Sequence, residues 1–301
     1  MNCMRALLST LVSNSFVTAI LLVCLSAFCA AQEPPYFVTY SQELEEPGNL
    51  EVALRSAIGT PQYGNQFRSA TMEFEYGVKG WWTSELYLSG QNTANDSTVF
   101  TGWRIENRFR PLLEEHFVNP VLYVEYENLS LADRSLLEIT GHDSKSDLLL
   151  ANWQGRLETE HAIETKLILS SNYRAWNISE NFIAEKDLNE PEPWEFGYAF
   201  GISRPLALAA SARACVFCRE NFAAGAELYG GLGDTNGFGL RATSQYIGPT
   251  ISFDIPRGPT LTFSPNFGLN DNSVGTIFRF KISYEFQQIF ERRHRDTRAA
   301  Q

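Results

Sequence analysis

From Ile277 to Phe286 the chain alternates without a miss. Phe278, Phe280, Ile282, Tyr284 and Phe286 are apolar, while Arg279, Lys281, Ser283 and Glu285 between them are polar. A period of two places the sets on opposite faces of an extended strand and excludes an amphipathic helix, whose period is 3.6. The same pattern precedes it. Leu261, Phe263, Pro265, Phe267 and Leu269 alternate with Thr260, Thr262, Ser264, Asn266 and Gly268. Ahead of the short turn Pro256-Arg257-Gly258 come Ile247, Ile251, Phe253 and Ile255. Three consecutive strands joined by tight connections read as an antiparallel meander.

Upstream, Leu50, Val52 and Leu54 form one such face, then Met72, Phe74, Tyr76 and Val78, then Trp82, Leu86 and Leu88. Val99, Trp103 and Ile105 follow, with Leu122, Val124 and Tyr126, and with Leu157, Ile163, Leu167 and Leu169. Trp176, Ile178 and Phe182, then Trp194 to Ile202, then Phe222, Ala224, Ala226 and Leu228 complete the series. The pattern predicts an all-β chain of about 12 strands, in a range of roughly 10 to 14.

The first residues are an address. Arg5 gives a sparse positive start, Phe16 to Phe28 is a short apolar run, and Cys29-Ala30-Ala31 offers small residues for cleavage before Gln32. Residues 1–31 therefore read as a signal peptide, the run being shorter than the roughly 20 residues of a spanning helix. No later stretch reaches that length. If the exported chain crosses a membrane, it must cross as a closed barrel, because only helices and barrels satisfy every backbone polar group in lipid. The expected organisation is signal peptide 1–31, barrel 32–286 and a basic tail 287–301 carrying Arg292, Arg293, His294, Arg295 and Arg298.

A soluble sandwich also alternates, so the second face decides. Here it is densely charged: Glu73 and Glu75; Arg104, Glu106, Arg108 and Arg110; Glu125 and Glu127; Glu158 and Glu160, with Glu164 and Lys166; Arg279 and Lys281. Behind a lipid-facing apolar band edged by aromatics, this is a polar lumen. The glutamates outnumber the cations, which predicts a cation-preferring pore. A second reading stays open, since Arg104, Arg108 and Arg110 facing Glu125 and Glu127 across a strand pair would plug a narrow barrel with ion pairs. A net charge of −11 argues against nucleic acid.

Two cysteines, Cys215 and Cys218, lie beyond the signal peptide. In an exported chain the pair reads as a small-loop disulfide; a zinc site lacks two further ligands, so no metal is expected. With both chain ends on the periplasmic side, Pro256-Arg257-Gly258 and Lys79-Gly80 become periplasmic turns and the connection from Leu131 to Gln154 lies outside. The connection carrying the cysteines, Arg204 to Glu220, is long for a periplasmic turn.

The export signal, the Phe-x-Phe-x-Ile-x-Tyr-x-Phe strand ending at Phe286 and the Gly268-Leu-Asn-Asp-Asn-Ser connection together resemble bacterial outer-membrane β-barrel proteins, including porin-like members without an assigned substrate. The resemblance implies residence in the bacterial outer membrane, contact with its lipid, insertion by the barrel-assembly machinery, and passage of small solutes or ions. Lys281 stands where such terminal strands often have Gly, and the chain continues past the aromatic. No cofactor or enzymatic activity is expected. A barrel phospholipase would rest on His142 and Ser144, two residues apart, but the Ser is followed by Lys145-Ser146 in a polar stretch that reads as a loop. The glycines of Tyr229–Gly233 open no helix and read as a hairpin rather than a phosphate loop.

Overall fold

A computed structural model describes residues 33–135, 140, 149–189, 191–209, 211 and 215–289. The chain divides into two units, Met1–Glu33 and Pro34–Gln301, and the barrel belongs to the second. The expected signal peptide, most of the expected basic tail, His142 and Ser144 lie outside the described residues.

Twelve long strands form one closed antiparallel sheet: β1 Leu50–Thr60, β2 Phe67–Lys79, β3 Trp82–Thr93, β4 Thr98–Phe109, β5 Asn119–Ser130, β6 Thr159–Tyr173, β7 Trp176–Asp187, β8 Glu195–Pro205, β9 Phe222–Asp234, β10 Gln245–Asp254, β11 Thr260–Gly268 and β12 Thr276–Phe286. Each pairs with its neighbours in sequence, and β12 closes on β1 from Leu50 opposite Phe286 to Thr60 opposite Thr276. Closure removes the open edge that lipid would leave unsatisfied. A two-residue piece, Gly237–Phe238, extends β9 by a hairpin. Among the described residues the helical pieces are a turn at Asn152–Gly155 and a 3-10 turn at Arg219–Asn221. Cys215 and Cys218 are bridged in the β8–β9 connection, with Cα atoms 5.5 Å apart.

The alternation places the side chains inside out relative to a water-soluble core. Glu106 and Glu125 are fully buried, whereas Phe100 on the outer face is 64% exposed. Leu54, Met72, Leu86, Ile105, Leu122, Phe182, Ile251 and Phe280 share that outer band. Aromatics edge it: at the end where β1 begins and β12 finishes, Trp81 and Trp82 pack on Phe109 with centroids 6.3 and 6.0 Å away. Toward the opposite end Trp103 meets Tyr126 at 5.6 Å.

The wall begins at Leu50, so the barrel expected over 32–286 contains a segment that is not wall. Residues 34–49 turn back into the lumen from the end where β1 starts. Gly77 lets them pass: a Cβ there would lie 2.0 Å from the Glu46 carbonyl. From the opposite end, part of the β5–β6 connection also folds inward. The Gln91 carboxamide accepts from the Arg134 amide at 3.0 Å and donates to the Ala132 carbonyl at 2.9 Å.

Candidate functional site: the barrel lumen

Strand register builds the most regular feature of the lumen. Glu285 on β12 lies opposite Glu51 on β1, and Glu51 opposite Glu75 on β2. Glu75 lies opposite Glu85, Glu85 opposite Glu106, and Glu106 opposite Glu125. The series continues through Glu164, Glu185, Glu195 and Asp234. Ten consecutive strands thus each contribute one directly opposed inward carboxylate. Strand tilt makes the row climb. It starts at the last turn of β12 and finishes at the far ends of β8 and β9, so it runs the length of the wall.

Like charges directly opposed on neighbouring strands destabilise a sheet. Cations on the flanking positions offset part of that cost. Arg108 reaches three members of the row: Glu75 at 2.5 Å, Glu106 at 3.1 Å from its Nε, and Glu85. Arg104 pairs with Glu125 at 2.8 Å, Lys166 with Glu164 at 2.7 Å and Lys281 with Glu51 at 2.9 Å. Beside the row, Arg55 pairs with Glu73 at 2.9 Å. Aromatic faces complete the cage, with the Arg104 guanidinium 4.3 Å over Tyr87 and the Lys166 ammonium 4.0 Å over Tyr123. Carboxylates remain in excess. The oxygens of Glu125, Glu127 and Glu164, all buried, lie within 4.8 Å of one another.

Strands β7–β11 present a different inner face. Ser179, Asn181, Ala199, Gly201, Ser203, Thr250, Ser252, Thr262 and Ser264 are small and mostly uncharged. Glu227 on β9 stands among them, 1% exposed.

The segment 34–49 fills the space this face leaves. The Glu227 carboxylate accepts three successive amides, from Phe37 at 3.0 Å, Val38 at 2.9 Å and Thr39 at 2.7 Å. Asn181 brackets Tyr40, accepting from its amide at 2.6 Å and donating to its carbonyl at 2.9 Å. The Tyr36 hydroxyl donates to Asn177 Oδ1 at 3.0 Å, over Gly201, where a Cβ would meet the Tyr36 ring at 2.7 Å. On the other side Tyr40 enters the charged cage: its hydroxyl donates to Glu106 at 2.9 Å, Lys166 lies 4.7 Å over its ring, and Tyr123 packs edge-on at 5.2 Å. The Arg55 guanidinium donates to the Phe37 carbonyl at 2.5 Å.

Of the lining residues expected from the sequence, Glu73, Glu75, Arg104, Glu106, Arg108, Glu125, Glu127, Glu160, Arg279 and Lys281 occupy inward positions. Two do not line the wall. Arg110 follows the end of β4 at Phe109 and donates to the Gly80 carbonyl at 3.0 Å, because the inward alternation stops where the strand does. Glu158 precedes β6 and is exposed. The facing of Arg108 also differs from expectation: it binds back toward β2 and β3 rather than forward to β5, where its direct partner is Tyr123. Glu51, Glu85, Glu185, Glu195, Asp234 and Glu227 were missed, as was the role of Tyr40. Their alternation is visible in the sequence; their alignment depends on register, which no single strand encodes.

No known family model matches the chain, and no curated protein does. Among solved structures, an outer membrane channel from Pseudomonas putida F1 superposes with a TM-score of 0.54 at 10% identity, covering 83% of this chain and all of that one. The KdgM porin aligns at a TM-score of 0.48 and 6% identity over 79% of this chain and 99% of its own. LpxR from Salmonella typhimurium aligns at 0.38 and 7% identity over 77% of this chain and 99% of its own. The chain has the fold of bacterial outer-membrane β-barrels. Within that class it is a twelve-stranded barrel with residues 34–49 in the lumen.

Proposed function

We propose that this chain is a passive outer-membrane channel, held closed by residues 34–49, that conducts cations in preference to anions when the segment withdraws. The observation that supports it is the carboxylate row. Opposed like charges cost stability and offer nothing to a barrel that serves only as scaffold, whereas a continuous acidic path along the wall focuses a negative field in a low-dielectric tube. The occluding segment runs directly into β1 and is held largely by side chains gripping its backbone, a mode that releases without unfolding the sheet.

A filled barrel without a pore is the second reading, favoured by the buried ion pairs around Arg108. Planar-bilayer recording separates them. The complete mature chain should conduct weakly, and removal of residues 33–46 should raise conductance at least tenfold, with a cation preference that fades as screening shortens from about 10 Å at 0.1 M salt to about 3 Å at 1 M. Glu125→Gln with Glu127→Gln should reduce the preference. A shortened chain that folds, shown by heat-modifiable migration in detergent gels, yet conducts nothing at any salt would leave the filled barrel standing.

A further inference from the structure

The segment and the charged wall do not meet everywhere. Between them lies a chamber of about 70 Å³ lined by Arg55, Arg104, Lys166 and Arg279, with Ser69 and with Thr71, whose hydroxyl lies 3.0 Å from that of Ser89. Among the described residues that line it there is no carboxylate. The partners of three of these cations, Glu73, Glu125 and Glu164, do not line it. Arg104 is 8% exposed, and its Nε has no hydrogen-bond partner among the described residues. One water needs on the order of 10–15 Å³ of such space, so the chamber suits a few waters or one compact polyatomic ion.

We propose that this chamber is a binding site for a small oxyanion, phosphate or a carboxylate group, held by Arg104, Arg279, Lys166 and Arg55 and by the hydroxyls of Ser69 and Thr71. The chemistry fits on three counts. Guanidinium N–H groups present forked donors that match a planar or tetrahedral oxyanion. Hydroxyls supply neutral donors at the same locus. Four cations, three of them paired with carboxylates that lie outside the chamber, make it locally positive within a lumen whose wall is acidic overall. The occupant acts on more than the wall. Phe37, Val38 and Tyr40 form one side of the chamber, so the site is complete only with the segment docked. A ligand that binds only the docked state favours it by mass action. The anion is therefore a closing effector. That consequence rests on the channel reading; the site itself does not.

The folded, detergent-solubilised mature chain is titrated with phosphate and, separately, with acetate, against chloride at equal ionic strength. Thermal unfolding midpoints report binding, and chymotryptic cleavage after Tyr36, Phe37 or Tyr40 reports docking. Either oxyanion should raise the midpoint above the chloride control and slow cleavage. Phosphate alone would assign a tetrahedral ligand, and a response to acetate would assign carboxylate-bearing solutes. Arg279→Gln should raise the half-saturating concentration at least tenfold. Ser69→Leu, which fills the chamber without altering a charge, should abolish the response while the barrel stays folded. No response beyond chloride, or one undiminished in Ser69→Leu, overturns the site. Binding without any fall in conductance would keep the site and remove the channel reading instead.

Discussion

Strands β12 and β1–β6 face strands β7–β11 across one lumen, yet the two walls are made of different residues. The first wall carries the cations Arg55, Arg104, Arg108, Lys166, Arg279 and Lys281 and most of the carboxylate row. The second carries serines, threonines, glycines and alanines around Glu227. The difference is mechanical. Long charged side chains fill their own half of the tube and lock one another by ion pairs, while short ones leave a trough that the segment 34–49 occupies. Backbone contacts of the segment fall mainly on the small wall, through Glu227 and Asn181; its deepest side chain, Tyr40, plugs into the charged one. One wall thus defines the charge of the path and the other the fit of its stopper.

The largest effect should come from breaking the charged wall. Arg108 is buried and serves Glu75, Glu85 and Glu106 together. Arg108→Met strands three opposed carboxylates, and losing one member of a buried ionic group costs about 3–5 kcal/mol. Denaturant unfolding of the barrel from detergent should show a loss of that size. A loss under about 1 kcal/mol would mean the row is solvated, and the contrast between a locked and an open wall would fall.

Breaking the small wall should act on the segment rather than on the sheet. Glu227→Ala removes the acceptor of three charge-assisted bonds, each worth about 1.5–3 kcal/mol before water replaces part of it. A net loss of roughly 3 kcal/mol in docking corresponds to about a hundredfold shift toward the undocked state. Chymotrypsin should then cleave the segment rapidly while unfolding of the barrel stays near its original midpoint. Unchanged protection would place the anchor elsewhere, in the Tyr40 cage. Tyr40→Phe separates the two, since it keeps the ring between Lys166 and Tyr123 and deletes only the hydroxyl, with its bond to Glu106 at 2.9 Å and its longer contact to the Tyr87 hydroxyl at 3.4 Å. Its effect on protection should be smaller, at about 1.5 kcal/mol, the lower end for one bond to a charged group.

Much of the wall was legible in the sequence because a half-buried strand repeats every two residues whichever side is wet. The strands through Met72, Phe196 and Phe278 stand where their alternation put them, though Trp194 falls just before its strand. What alternation does not carry is register. Glu75, Glu85, Glu106 and Glu125 each read as inward, but their alignment into one row arises from the β2–β3, β3–β4 and β4–β5 ladders and from bulges such as that at Ser89 and Gly90. The same omission hid the Arg108 partners. Residues 34–49 were illegible for another reason. They lack periodicity because they follow no sheet, and their place is fixed by single contacts to residues about 140 and 190 positions later in the chain.

The smallest effect concerns the turn where the two walls join. β6 and β7 are linked by Arg174 and Ala175 alone, and both have positive φ, 50° and 66°. A two-residue hairpin needs that left-handed pair to match the twist of its strands, which is why Asn-Gly is usual there. Here the Arg174 guanidinium lies 5.1 Å over the Tyr173 ring, but nothing offsets the Cβ of Ala175 against its own carbonyl. Ala175→Gly should therefore stabilise the barrel by about 1 kcal/mol, less the entropy glycine gains in the unfolded chain. Because the full β6–β7 ladder, from Tyr173 opposite Trp176 to Ala162 opposite Asp187, already fixes how one wall meets the other, protection of the segment and conductance should not change. If either moves while unfolding does not, the pitch between the charged and small walls is set by the turn rather than by the ladder.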